Sequence, residues 1–364
     1  MESTQRIVLL ASNLLLEYDY DDTIFPIPFD QVYHNISYRY VNFGKPNPSI
    51  PDYVITGFIP EMKEHMSELL VMTGASGNHA HGSFNLMYSV LLADPFASII
   101  YLDLGLNGSF MKYLKSHFET LHQIQVKMKS DGFLAYRRYN WGALPRWMNL
   151  LQTGRAKRGG YSWKVIPMYD AYTEWKGLFS WQDGGTVIID GLVRELTLAR
   201  RYGIYVPPSA GTIRDWTHPD IIQFMKENGL VNDVNMNGPN CSAGIVYIDY
   251  SNTTVRELMN KYVECAWTRK CMAPKAAVHK NHRFDQACLS MLLNDYKIPK
   301  SIDDRYYYRP SVRNEDGNTQ QVLANLIIAI QETYHVKLSN SIFNVNGMHY
   351  RHQKLRYTTR KVEY

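Results

Sequence analysis

The hydrophobic pattern alternates between two periods along the middle of the chain. Glu68-Leu-Leu-Val-Met-Thr-Gly74 is a short apolar run closed by glycine, which predicts a buried strand and its exit turn. Residues 83–94 carry apolar positions at helical spacing, with Ser83 as a cap. Ala97-Ser-Ile-Ile-Tyr-Leu-Asp103 predicts a second strand and residues 109–123 a second helix. A third strand falls on either residues 124–128 or residues 136–139. The pattern then predicts a helix over 161–172, a strand over 177–181, a helix over 190–202, a strand over 243–249, and helices over 254–266 and 285–294. Strands alternating with helices indicate an α/β fold with a mostly parallel sheet flanked by helices. Such sheets bind ligands at the carboxyl ends of their strands, so chemistry is sought there.

The ends of the chain read differently. Pro26, Pro28, Pro46, Pro48, Pro51 and Pro60 break any long element in residues 1–66, which are read as an N-terminal extension. Residues 67–300 are read as the catalytic domain and 301–364 as a C-terminal extension completing the site. The run Ile7–Leu16 is about half the roughly 20 apolar residues that span a bilayer and is read as a buried strand or helix. No membrane span is expected in this chain. Compartment stays open between a Golgi or secretory lumen, for a trimmed catalytic domain, and the cytoplasm.

Composition changes this picture little. The 364 residues are 45% hydrophobic and 20% charged, a globular balance. The net charge of +5 comes without a long basic run, so nucleic acid is not an expected partner. Tyrosines number 27, twice the phenylalanines, which suits carbohydrate platforms as well as ordinary packing. The cysteines at 241, 265, 271 and 288 form no Cys-x-x-Cys pair, so a structural zinc site is not expected. Cys265 and Cys271 are near enough in sequence to be bridged across a helix end in an oxidising compartment. Sequons stand at Asn35, Asn107, Asn240 and Asn252, as chance alone would supply.

Five constellations carry candidate chemistry. Thr73-Gly-Ala75-Ser76-Gly-Asn-His79 follows the first strand, where small residues let a base or phosphate approach the backbone. The next strand also ends in a polar group, Asp103, followed by Gly105. The alternative is a tight turn with a helix cap. Neither the dinucleotide glycine fingerprint nor a P-loop lysine is present, so neither an NAD-type oxidoreductase nor a P-loop NTPase is supported. Trp181-Gln-Asp183-Gly-Gly185 delivers one carboxylate to a strand end, where Mn²⁺ or Mg²⁺ would take oxygen ligands together with substrate phosphates. Asp183 could instead cap the following helix. His282-Arg283-Phe284-Asp285-Gln286 opens an apolar helix, so Asp285 is either an N-cap or a catalytic or acceptor-binding carboxylate. Arg283 would counter phosphate charge. Lys164, in Tyr161-Ser-Trp-Lys164, could neutralise a phosphate, hold the acceptor or be a surface lysine. Near the C-terminus, His349, His352 and Lys354 lie in a glycine-containing loop that suits a diphosphate or completes a metal shell, or forms a solvated basic tail.

Thr73-x-x-Ser76-x-Asn78-His79, Tyr101-x-Asp103-Leu-Gly-Leu106, Trp163-Lys164, Trp181-x-Asp183 and His282-Arg-Phe-Asp-Gln286 occur in this order. As an ordered set over about residues 68–295 they resemble a little-characterised eukaryotic family of probable GT-A-fold glycosyltransferases, often Golgi type II membrane proteins. The resemblance implies a GT-A-like domain in which Thr73, Ala75, Ser76 and Asp103 line the nucleotide site. It sets Asp183 at the metal and diphosphate and Asp285 beside the reacting sugar. The expected activity moves a sugar from a nucleotide-sugar donor, UDP-linked by preference, to a hydroxyl of a glycan or glycoprotein acceptor. The alternative is a carbohydrate-binding module of the same fold without turnover. In an inverting reaction Asp285 would take the acceptor proton; in a retaining one it would stabilise the cationic sugar. An Asp285→Asn variant is expected to stay folded, because asparagine caps helices nearly as well.

Overall fold

The computed structural model describes residues 38–39, 69–106, 108–130, 132–139, 141, 144–149, 158–188, 192–299, 311–313 and 319–335. From Leu69 on, the described elements run β1 (Leu69–Ala75), α1 (Ala80–Ala93), β2 (Ser98–Asp103), α2 (Gly108–Lys127), β3 (Leu134–Tyr139), α3 (Ser162–Trp175), β4 (Leu178–Gln182) and β5 (Thr186–Ile188). They continue with α4 (Val193–Tyr202), β6 (Ile204–Tyr205), β7 (Pro208–Thr212), α5 (Ile213–Trp216), α6 (Pro219–Glu227), β8 (Pro239–Cys241) and β9 (Ile245–Asp249). Then come α7 (Thr253–Trp267), α8 (Arg269–Met272), α9 (Asp285–Asp295), β10 (Ser311–Arg313) and α10 (Thr319–Tyr334). The architecture is α/β, with a mostly parallel sheet and flanking helices. The run Ile7–Leu16, His349, His352 and Lys354 lie outside the described residues.

The chain divides into two compact units. The sheet unit comprises 40–138, 180–197 and 307–364. Here β1 pairs with β2 and β2 with β3, all parallel, with Thr73 opposite Tyr101, Ala75 opposite Asp103 and Asp103 opposite Arg138. The strand order runs β3, β2, β1, β4. Every residue of β1 and β2 is buried, the continuous apolar pattern of strands covered on both faces. The helix α1 is buried from Phe84 through Leu91; it starts at Ala80, one turn earlier than expected, so Ser83 lies inside it and is not its cap, and Ser83 and Ser89 donate back to the carbonyls of Ala80 and Leu86. Residues 124–127 continue α2, whose buried Leu114, Phe118, Leu121 and Ile124 keep helical spacing, so the third strand is the later of the two expected segments. The helix α10 packs on α1, with Leu326, Ile327 and Ile330 buried and Tyr334 donating to the Leu92 carbonyl at 2.6 Å.

The helical unit comprises 1–39, 139–179 and 198–306. Its β9 pairs antiparallel with β6, and β7 pairs antiparallel with β8. The helices α3, α7 and α9 pack in sequence, α7 touching both others. Asn252 caps α7 by accepting from the Val255 N–H at 3.0 Å, and Thr212 with Asp215 forms a reciprocal capping box on α5. Cys265 and Cys271 form a disulfide, as their spacing allows. Asn240 is 1% exposed and accepts from Ser290, so that sequon is closed to glycosylation in the folded chain.

Candidate functional site

The carboxyl ends of β1 and β4 meet the start of α1 within the sheet unit, and glycine makes the meeting possible. A Cβ on Gly184 would lie 2.9 Å from the Gly74 carbonyl oxygen and 3.0 Å from Ser83 Cβ. One on Gly82 would lie 2.8 Å from the Gly184 oxygen, and one on Gly74 would lie 2.6 Å from the Leu102 oxygen. Three backbones are therefore in contact with no side chain between them. Thr73 and Ala75 are buried beneath this junction, and Thr73 Oγ1 is enclosed without a hydrogen-bond partner among the described residues. A lost hydrogen bond of this kind costs about 1–3 kcal/mol. Ser76 leads into a short 3₁₀ turn, its carbonyl accepting from the His79 N–H at 3.0 Å.

Asp103 holds the neighbouring loop. Its Oδ1 accepts the N–H groups of Gly105 and Leu106 at 2.8 and 2.6 Å, and its Oδ2 accepts the Tyr136 hydroxyl at 2.6 Å. Burial, reinforced by the Asp103 charge, pushes the Tyr136 phenol well up, so it stays a donor. The Leu104 N–H donates to the Ala75 carbonyl at 3.0 Å and ties this loop to β1. Asp103 thus shapes the strand-end loop through both of its oxygens.

Asp183 sits half-buried on the turn between β4 and β5. Two residues before it stands Trp181, an aromatic side chain in place of a second carboxylate. Its indole N–H donates to Asp183 Oδ1 at 2.8 Å, and Trp181 is itself 1% exposed. The Thr186 N–H and hydroxyl both donate to the Asp183 carbonyl, at 2.9 and 2.8 Å. The carboxylate is therefore anchored by a buried aromatic and a closed turn. The next helix begins at Val193, ten residues on.

In the helical unit, Lys164 and Asp285 form an ion pair. Lys164 Nζ stands 2.7 Å from Asp285 Oδ2, with side chains only 5% and 4% exposed. The ammonium also donates to the Ala243 carbonyl at 3.1 Å and lies 5.3 Å from the centre of the Tyr161 ring. Lys164 is therefore an interior residue, and the surface alternative falls. Asp285 is the first residue of α9, and Tyr262 donates to its backbone carbonyl at 3.2 Å. The preceding Phe284 has φ 50° and ψ −121°, a backbone state that a bulky residue adopts only under constraint. Its ring is buried against Tyr161 and His282. His282 is fully buried, bonds the Met272 carbonyl through Nε2 at 3.1 Å, and has its pKa lowered to about 4, chiefly by burial. Arg283 stacks over the Trp216 ring at 4.2 Å and reaches His279. Asp215 caps α5 at the surface.

No protein-family profile matches the chain, and no curated protein matches it. Solved structures do resemble it. One is the bifunctional glycosyltransferase WbbM, at 14% identity and TM-score 0.37, over 64% of this chain and 38% of that one. A second is mouse xyloside xylosyltransferase 1, at 10% and 0.39, over 65% and 85%. A third is core-mannan synthase A from Aspergillus fumigatus in a Mn/GDP form, at 7% and 0.40, over 78% and 79%. Similarity at this level carries no argument about chemistry, which rests on the chain's own strand ends.

Sequence reasoning missed the residues that hold these groups in place. The Trp181 indole and the Tyr136 phenol each fix a carboxylate from a position that reads as plain strand, and the Thr186 hydroxyl closes the turn through the Asp183 backbone carbonyl. The Ala243 carbonyl is invisible to any motif. Phe284 lay inside a quoted motif, but its backbone state leaves no mark in residue type.

Proposed function

We propose that the chain is a GT-A-like glycosyltransferase that binds a nucleoside-diphosphate sugar and transfers the sugar to a hydroxyl of a glycan or glycoprotein. The observation that carries this reading is the glycine junction under Asp183. The ends of β1 and β4 and the start of α1 pack backbone to backbone there, which fixes the turn that carries Asp183 and its anchored carboxylate. Parallel sheets take their ligands at the carboxyl ends of the strands, and an oxygen ligand suits a hard divalent cation. In this reading Ser76 borders the nucleotide, Thr73 and Ala75 pack beneath it as buried support, and Asp103 shapes the neighbouring loop.

Asp183 would hold Mn²⁺ or Mg²⁺ with the donor's phosphate oxygens and water, a hard-oxygen set for which one or two carboxylates suffice. The cation would supply neutralisation of the leaving diphosphate. Asp285 is the carboxylate proposed to act on the sugar or acceptor, and Lys164 orients it. Arg283 keeps its proposed role at the phosphates, with Trp216 stacking to set the guanidinium plane. His349, His352 and Lys354 remain proposed contributors from the C-terminal segment.

The test is a panel of UDP-, GDP- and CMP-sugars, with and without Mn²⁺, read by thermal shift and by sugar-nucleotide hydrolysis. One nucleotide should raise the melting temperature and be turned over. A shift without turnover would identify the non-catalytic carbohydrate-binding alternative. No shift from any member would overturn the donor-binding reading.

A further inference from the structure

Three of the four cysteines gather inside the helical unit. Cys265 lies in the last turn of α7, Cys271 in α8, and Cys288 three residues after Asp285 in α9. All three are fully buried, and their sulfurs lie within 4.8 Å of one another. Cys265 and Cys271 are joined, while Cys288 is a thiol 3.4 Å from Cys265 Sγ and 3.4 Å from the Cys271 carbonyl. Among the described residues no histidine or carboxylate joins the trio. A structural zinc site takes four ligands, so the cluster is one short. A disulfide with a third sulfur in contact is instead the arrangement from which thiol–disulfide exchange starts.

We propose that the cluster is an exchangeable disulfide, in which Cys288 displaces Cys271 and moves the cross-link from α7–α8 to α7–α9. Thiolate Cys288 attacks Cys265 Sγ, the new Cys265–Cys288 bond forms, and the Cys265–Cys271 bond breaks. Cys271 leaves as a thiolate and takes up the proton that Cys288 released. One disulfide and one thiol stand on each side of the step, so no oxidant or reductant is consumed.

The resting geometry holds the step back. Attack needs three sulfurs nearly in line, which would set the outer two about 5.4 Å apart given a bond of about 2.05 Å. They are within 4.8 Å. Burial, aided by the Asp285 charge, also pushes the Cys288 thiol well up. Exchange therefore waits on a local opening at the start of α9, where Phe284 holds its constrained backbone. The two pairings restrain different things. Cys265–Cys271 closes a separation of 6 residues beside one helix end, whereas Cys265–Cys288 closes 23 and ties α7 to the helix that begins with Asp285. The exchange itself is independent of glycosyl transfer.

Disulfide mapping of the full chain, purified without reductant, tests this. Samples are quenched in acid either at once or after overnight incubation at pH 8.5. Free thiols are then alkylated in denaturant and the linked peptides identified by mass spectrometry. The Cys265–Cys288 peptide should be present and grow several-fold on incubation, and be absent from Cys288→Ser. Air-oxidised Cys271→Ser should form the Cys265–Cys288 bond with wild-type circular dichroism. The proposal fails if the incubated wild type holds only Cys265–Cys271. It also fails if folded Cys271→Ser leaves both remaining thiols open to alkylation, or if the wild type carries stoichiometric zinc on three reduced cysteines. Should Cys271→Ser not fold, the wild-type map alone decides.

Discussion

Asp285→Asn removes one charge from a pair that has almost no access to water. At 2.7 Å and an effective dielectric of about 20, the attraction between Lys164 and Asp285 is on the order of 6 kcal/mol. It is offset by a desolvation cost of several kcal/mol per ion. The net value of the pair is therefore small, but the loss of one partner is not. The variant keeps a residue able to open α9, yet takes the Asp285 charge away from an enclosed Lys164 ammonium that also donates to the Ala243 carbonyl. Breaking a buried pair in this way costs about 3–5 kcal/mol, a large share of the 5–15 kcal/mol of a typical domain. This revises the expectation from helix capping alone, under which Asp285→Asn is nearly silent. Lys164→Met should cost a similar amount from the other side. The double variant Lys164→Met with Asp285→Leu should return to within about 1–2 kcal/mol of wild type, since apolar replacements of similar volume are tolerated where an ion pair was buried. Urea unfolding followed by circular dichroism measures all four proteins. Single variants within about 1 kcal/mol of wild type, or a double variant equal to the sum of the singles, would show that the pair is not enclosed as described.

Gly184→Ala should lower the melting temperature by several degrees, because the new Cβ meets the Gly74 carbonyl and Ser83. Gly185→Ala, with nothing within 4 Å of its Cβ, should be near neutral; equal melting temperatures for the two would remove the glycine junction from the account. His282 has a folded pKa of about 4 against 6.5 in the unfolded chain, so the unfolded state binds the extra proton. Its contribution is complete above pH 6.5 and falls away between 6.5 and 4, by about 2–3 kcal/mol at pH 4.5. Urea midpoints at pH 7 and 4.5 should therefore separate less in His282→Gln than in wild type, and equal separations would refute the sign.

Much of the frame was legible because burial on both faces leaves unbroken apolar runs. Leu69–Ala75 and Ser98–Asp103 differ from the expected strands by a residue or so, and the spacing of α2 and α7 marked both helices. The region 204–241 was not legible. Its strands β7 and β8 are short and partly exposed, and they pair with each other across some thirty residues, so neither shows a period of its own. The glycines at 74, 82 and 184 were visible as residues, but only the packing shows which backbones they admit. Lys164 and Asp285 stood as two separate candidates, because no local pattern records that positions 121 residues apart meet in one interior. The cysteine spacing pointed to the Cys265–Cys271 bridge and gave no sign of Cys288 beside it.

The most direct test of the central claim is a calorimetric titration of wild type and Asp183→Ala with UDP and GDP, in the presence and absence of Mn²⁺. The account predicts that one nucleotide binds wild type more tightly with Mn²⁺. It predicts that Asp183→Ala keeps the wild-type melting temperature to within a few degrees and loses the metal-dependent part of the affinity, at least about tenfold. Affinity in Asp183→Ala equal to wild type, with and without the metal, would contradict it and leave Asp183 a turn residue held by Trp181 and Thr186.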